Sequence, residues 1–292
     1  MTRWTAADIA DQSGRTCVVT GANSGLGAVI ATELARAGAN VIVACRDPAR
    51  GEQAAAAMPG HTEVRRLDLA DLASVRTFAA GLDEIAVLVN NAGVMATPKG
   101  RTRDGFERQI GTNHLGHFAL TGLLLGRITD RVVTMSSTAH RNGHIDLNDL
   151  NWERRRYQRW GAYGQSKLAN LLFTYELQRQ LTAAGSDRKA LAAHPGYAAT
   201  NLQFHTDSFQ DRAMAVTNRL FAQSAQMGAL PALYAATLPS IPGGSYVGPN
   251  GPFEQRGYPK VVRSNRRSYD EATAAALWSL SEKLTGVTFT GF

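Results

Sequence analysis

Cysteine is scarce in this chain, two in 292 residues, which excludes a disulfide-built fold and a multi-cysteine metal site. Cys17 would open one β-rich run and Cys45 would close the next. As parallel neighbours they would lie roughly 13 Å apart at about 3.3 Å per residue, so free, packed thiols are expected. Long apolar runs are also missing, since no stretch approaches the roughly 18 consecutive apolar residues of a membrane span. Met1 to Gly14 carries Arg3, Asp8 and Asp11 without an apolar leader, so a cytoplasmic chain with no membrane anchor is expected. Internal repeats and low-complexity blocks are absent, and the alanines from Ala54 to Ala57 reflect helix propensity. What is present is a globular composition: 44% hydrophobic and 19% charged residues exclude disorder and coiled coil. With 31 Lys plus Arg against 24 Asp plus Glu, the net charge of +7 admits an anionic ligand or a polyanionic partner.

From Thr16 onward short β-rich runs alternate with longer helical stretches, the pattern of repeated βαβ units and a doubly wound parallel sheet. Strands are expected at Thr16–Thr20, Val41–Cys45, Glu63–Leu67, Val87–Asn90, Arg131–Met135 and Ala190–His194, with a last short one around Ser245–Val247. That makes about seven strands in one α/β domain over residues 1–292. Crossover helices are expected at Gly25–Ala37, Ala49–Ala57 and Leu72–Ala80, and longer ones at about Asp104–Gly126 and Gly161–Ala183. Asp270 to Leu284 reads as an amphipathic packing helix bearing Trp278.

The first strand runs directly into Gly21-Ala22-Asn23-Ser24-Gly25-Leu26-Gly27 and then into a helix. Glycines at such a junction permit a tight turn and close backbone approach to a pyrophosphate, whose charge meets free N–H groups at the positive helix end. Farther on, Tyr163 and Lys167 are four apart and share a helix face. A neighbouring ammonium favours the phenolate, so the pair suits proton transfer, with the tyrosine proton expected below its ordinary value near 10.

With Thr20 before the glycine turn, Asn90-Asn91-Ala92-Gly93 after the fourth strand, Ser137 after the fifth and Tyr163-Gly164-Gln165-Ser166-Lys167 in the sixth helix, the chain resembles the short-chain dehydrogenase/reductase family. The likeness spans about Thr16 to Val247. It implies a single Rossmann-type sheet with a substrate lid after the sixth strand, and an oxidoreductase interconverting an apolar alcohol with its aldehyde or ketone. By the same resemblance Tyr163 exchanges the proton, Ser137 orients the substrate oxygen, Lys167 also holds the nicotinamide ribose, and Asn113 supports a proton path. The glycines of Gly111-Thr112-Asn113-His114-Leu115-Gly116 suggest a helix bend that turns the Asn113 amide inward. Ser136 adjoins Ser137, and neighbours on a strand point oppositely; the family pattern selects Ser137.

The resemblance also assigns cofactor contacts to Gly21, Asn23, Ser24, Gly25, Leu26, Gly27, Asp68, Leu69, Asn91, Ala92, Gly93, Pro195, Gly196 and Thr200, along with Tyr163 and Lys167. At the end of the second strand, Val43-Ala44-Cys45-Arg46-Asp47 has cysteine where NAD-dependent relatives usually have an acid. Arg46 follows with a guanidinium suited to phosphate, so NADP(H) is favoured over NAD(H), with Asp47 as a competing ribose ligand. Thr112 to Phe118, Ser137-Thr138-Ala139-His140 and Ser166 to Asn170 resemble the retinol dehydrogenase and protochlorophyllide reductase-like group. The N-terminal apolar anchor of many membrane-associated retinol dehydrogenases has no counterpart in Met1–Gly14.

Other features are read as secondary. His114 and His117, or His140 and His144, have spacings open to metal, but no H-E-x-x-H or cysteine partner accompanies them, and no metal is expected. Arg154, Arg155, Arg156 and Arg159, interleaved with Trp152, Tyr157 and Trp160, could form a nucleic-acid platform; a loop at the active-site mouth is the simpler reading, without nucleic acid. Phe204, Phe209, Met214, Leu220 and Phe221 in the expected lid, Leu202–Gln226, offer apolar surface to a substrate or to the core. Relatives often associate through the two long helices, so a homodimer is expected, with a homotetramer as the variant. A nucleotide-sensing or interaction protein that keeps the cofactor fold without turnover is the alternative function.

Overall fold

The protein is described by a computed structural model covering residues 3–197 and 223–292. Among the described residues eight strands form one sheet in the order β3-β2-β1-β4-β5-β6-β7-β8. They are β1 (Thr16–Thr20), β2 (Asn40–Cys45), β3 (Thr62–Arg66), β4 (Ile85–Asn90), β5 (Ile128–Met135), β6 (Lys189–Ala193), β7 (Tyr246–Pro249) and β8 (Pro259–Val262). The first seven run parallel, and β8 pairs antiparallel with β7 through Tyr246↔Val262 to Pro249↔Pro259. This eighth strand was not expected from the sequence. It is four residues long, starts with proline and carries Lys260, features that suit a sheet edge and obscure the alternating signal.

Strand geometry sorts the core. Cys17, Val19, Val41, Val43, Val87, Val89, Val133, Met135 and Leu191 point to one face, where α1 (Gly25–Arg36) and α7 (Ala225–Thr237) cover them. Their neighbours Val18, Ile42, Ala44, Leu88, Val132 and Ala190 point to the other, under α3 (Leu72–Ala80), α5 (Gly116–Leu124), α6 (Arg159–Ala183) and α8 (Glu271–Thr285). A strand covered on both faces has no polar side to display, which explains the near-continuous apolar runs. Cys17 pairs with Val41, four positions from Cys45, and both thiols are free and buried.

The helix expected from Asp104 begins later, because Gly105 takes a left-handed φ of 87° and Asp104 accepts the Leu72 N–H at 2.9 Å. A short α4 (Arg108–Ile110) then passes through a π-helical turn at Gly111–Leu115 into α5. On β2 the following α2 (Pro48–Ala55) starts with proline and is capped by Asp47, which accepts the Arg50 N–H at 3.3 Å. The chain reverses its direction of progress across the sheet between β1 and β4, and at such a point the loops beyond the strand ends diverge and leave a crevice. No described helix is long and apolar enough to cross a membrane.

Candidate active site

The crevice is a cavity of about 760 Å³ at the carboxyl ends of the parallel strands. Gly21, Asn23, Ser24, Gly25, Leu26 and Gly27 line one part, with Arg46, Asp68, Leu69, Asn91, Ala92 and Gly93; Ser137, Tyr163, Lys167, Pro195 and Gly196 line another. Thr200 and the expected lid residues Phe204, Phe209, Met214, Leu220 and Phe221 lie outside the described residues.

Backbone builds the first wall. Gly21 and Gly25 adopt φ of 66° and 56°, which any side chain would strain. A Cβ at Gly27 would stand 2.4 Å from the Gly21 carbonyl oxygen and 2.5 Å from Asn91 Nδ2, so the helix can pack onto the turn only through glycine. Ser24 occupies the α1 N-cap without a side-chain cap bond, while Asp47, Asp71, Ser224 and Asp270 cap their own helices. The free N–H groups of α1 therefore open into the cavity, where a pyrophosphate would satisfy them. These features fit a dinucleotide. Asp47 caps its own helix through Oδ1 and also lines the cavity, where Arg50 joins Arg46. Arg50 was missed in the sequence, although its four-residue spacing from Arg46 was visible.

The Asn-Asn-Ala-Gly turn is tied to β1. Thr20 Oγ1 accepts the N–H groups of Asn91 and Ala92, each at 2.9 Å, and Asn91 Nδ2 donates to the Thr20 carbonyl at 2.7 Å. Asn91 thus holds the turn with its amide nitrogen while lining the cavity. Thr20 Oγ1 also meets His117 Nε2 at 2.9 Å, and His117 Nδ1 lies 3.0 Å from the Asn113 carbonyl. A carbonyl can only accept, so Nδ1 carries the proton and Thr20 donates to Nε2. Burial pushes the His117 imidazole down to about 4, which keeps this neutral form. His114 turns elsewhere, to Ser281 Oγ at 3.0 Å, so the two histidines serve separate contacts. Sequence reasoning missed the role of His117, though its spacing of four from Asn113 places both on one helix face.

Side chains build the second wall. The π turn aims the Asn113 amide inward: Nδ2 donates to the Val94 carbonyl and to Ser166 Oγ, both at 2.9 Å, and Oδ1 accepts the Val94 N–H at 2.8 Å. Both serines border the cavity; the Ser136 hydroxyl is spent on the Lys167 carbonyl at 2.9 Å, while Ser137 Oγ accepts the Ala139 N–H at 3.2 Å. Lys167 Nζ donates to the Met135 carbonyl at 3.1 Å and lies 5.7 Å from the centre of the Tyr163 ring.

The electrostatic balance at this pair differs from the expectation. Burial pushes the Tyr163 phenol up to about 12, with the Ser137 hydroxyl pulling it back only in part. Burial also lowers Lys167 to about 8. Both groups are desolvated together, and at this separation the ammonium does not offset what the phenolate loses on leaving water.

The basic loop is divided: Arg154, Arg156 and Arg159 are exposed, whereas Arg155, Trp152 and Tyr157 look inward. Arg155 lies 3.8 Å from the Trp152 ring centre and donates to the Asp149 carbonyl and Gln165, Trp152 is buried, and the Tyr157 hydroxyl donates to Glu107. Only Trp160 of the three aromatics stands exposed, at the cavity edge against Tyr163.

This constellation on a doubly wound sheet defines a class of protein, and comparison with known proteins agrees: residues 15–211 match the short chain dehydrogenase family model. The chain belongs to that family, and it is an oxidoreductase acting on CH–OH and C=O groups. More particularly, it is 42% identical over 293 residues to retinol dehydrogenase 13 of Homo sapiens, covering 94% of this chain and 85% of that one. It is 39% identical to human retinol dehydrogenase 12, covering 94% and 87%. A crystal structure of an uncharacterized protein from Mycobacterium Paratuberculosis superposes with a TM-score of 0.87 at 57% identity, over 99% of this chain and all of the other. A structure with bound NADP, assigned as an NAD(P) dependent gluconate 5-dehydrogenase from Beutenbergia cavernae, superposes at 0.62 with 28% identity, over 81% and 95%.

Proposed function

We propose that this protein transfers hydride between NADP(H) and an apolar alcohol or carbonyl compound. The observation that carries the reading is the single cavity in which an uncapped helix N-terminus and Arg46 face one end while Ser137, Tyr163 and Lys167 meet at the other. The cofactor, when bound, supplies or accepts the hydride. Arg46 and Arg50 offer two guanidinium groups to a 2′-phosphate, and one oxygen of the neighbouring Asp47 is taken up in capping α2. Ser137 presents its hydroxyl to the substrate oxygen. Tyr163, holding its proton firmly by burial, donates it to the alkoxide that forms during reduction and takes it back during oxidation. Lys167 offers its ammonium to the ribose, and Asn113 keeps the Val94 backbone and Ser166 in place beside it. Val94, Met95, Ala139 and Trp160 give the substrate end apolar surface, which suits an extended hydrophobic alcohol or aldehyde and agrees with the names of the retinol dehydrogenases it resembles.

The cofactor preference is tested by Arg46→Glu. Losing a charged hydrogen bond of about 1.5–3 kcal/mol should lower the NADPH-to-NADH ratio of kcat/KM by about 10- to 100-fold. An unchanged ratio would overturn the NADP(H) assignment.

A further inference from the structure

The loop between β7 and β8 reaches back over the sheet ends and meets, through one carboxylate, the residues that adjoin two segments of the side-chain wall, the Ser137 turn and Pro195-Gly196. Glu254 receives Arg141 Nη2 on both of its oxygens, at 3.1 and 3.2 Å. Arg141 belongs to the short turn Thr138–Asn142 that Ser137 caps. On its other side Glu254 Oε2 stands 3.2 Å from His194 Nε2, at the root of Pro195-Gly196. The imidazole is fully buried, and its Nδ1 accepts the Gly196 N–H at 3.3 Å, which leaves Nε2 to carry the ring proton; Nε2 stands within ion-pair distance of the carboxylate without a formed hydrogen bond. Gly248 makes room for this ring, since a Cβ there would stand 2.0 Å from Nε2. Backbone contacts join the same parts: Tyr197 N–H donates to the Gln255 carbonyl at 2.7 Å, and Gly257 N–H to Gln223, whose amide donates to the Pro195 carbonyl at 2.6 Å.

Strain marks the same place. Phe253 and Glu254 are consecutive non-glycine residues with left-handed φ of 51° and 58°. Such a backbone persists only where surrounding contacts over-determine it. The Phe253 side chain contributes little, being 90% exposed, whereas Glu254 is held by Arg141 and stands 3.2 Å from His194 Nε2.

We propose that Glu254 is a positioning residue, whose carboxylate sets the Pro195-Gly196 segment against the Ser137 turn and so fixes the gap in which nicotinamide and substrate meet. The inference rests on the reading above that these two segments bound the nicotinamide end of the cavity. Glu254 touches neither reactant and acts through Arg141 and His194.

The test measures binding as well as turnover in the full-length protein. Glu254→Gln keeps the shape and removes the charge, Glu254→Asn suits the left-handed backbone better, and Arg141→Met removes the partner. Each should weaken NADPH by about tenfold and lower kcat by about 10- to 100-fold, as small misplacements near reacting groups do. Binding of 2′-phospho-ADP-ribose, which lacks the nicotinamide, should stay within about twofold of wild type, and the double variant should lose no more than either single one. Melting temperature for Glu254→Asn should not fall with the activity, because the strained backbone is relieved. Equal losses for NADPH and the nicotinamide-free fragment, additive losses in the double variant, or wild-type kinetics in Glu254→Gln would overturn the proposal. Should wild type reduce no carbonyl at all, the oxidoreductase reading fails while the two binding measurements still decide the role of Glu254.

Discussion

Along β1, β2 and β4 the cavity is walled largely by main chain, namely glycines at positive φ, free helix N–H groups and a turn held by Thr20, with Arg46 and Arg50 beside them. Along β5, α6 and the end of β6 it is walled by side chains: Ser137 sits in a local turn with His140 and Arg141, while Lys167 is tied to Met135 and Arg141 to Glu254, both distant in the chain. A main-chain wall recognises groups common to every dinucleotide, because every residue supplies the same N–H. A side-chain wall can move a proton, because its phenol and ammonium titrate. The difference teaches that binding and chemistry can be broken separately.

The largest separation is expected for Tyr163→Phe. Loss of the general acid should reduce kcat by about 100- to 10,000-fold while NADPH binding, followed by cofactor fluorescence, stays near wild type. Gly27→Ala makes the opposite break: its methyl meets the Gly21 carbonyl, and overpacking of about 1–3 kcal/mol should weaken NADPH by about 10- to 100-fold, read by titration. Asn113→Ala lies between them. It strips both hydrogen bonds from the Val94 backbone, at about 1–2 kcal/mol, and should lower kcat by about tenfold with a smaller change in NADPH affinity.

The smallest effect is a pH signature of the side-chain wall. Lys167 has its proton affinity lowered by burial from 10.5 to about 8. Between those values the unfolded chain binds more protons at this site than the folded one, so this site's contribution to stability rises with pH. Melting curves of wild type and Lys167→Met should therefore diverge in slope across about pH 8–10, wild type gaining relative to the variant. Parallel curves would show that the ammonium is not desolvated as described.

The two walls also differ in how far they were legible from sequence. The glycine turn, Asn-Asn-Ala-Gly, Ser137 and Tyr163 to Lys167 are short local patterns at strand ends and on one helix face, so residue order alone brings them to the same side of a parallel sheet. The supports are not local. Thr20 and His117 are 97 residues apart and Arg141 and Glu254 are 113 apart, and no periodicity in either segment points to the other. The inward bend at Asn113 was suggested by its flanking glycines, but a π turn and its grip on Val94 emerge only when α4 and α5 pack. The Tyr163 proton was misjudged because helix spacing shows proximity to Lys167 and hides how completely both are buried. β8 escaped because a four-residue edge strand is stabilised by its pairing with β7 more than by its own residues.

The most direct test of the account is consumption of NADPH and of NADH by wild type across aliphatic, aromatic, steroid and retinoid aldehydes and ketones. Turnover of apolar carbonyls that prefers NADPH and disappears in Tyr163→Phe is the predicted result. NADPH that binds while no carbonyl in the panel is reduced would contradict it and leave a protein that senses the nucleotide without using it.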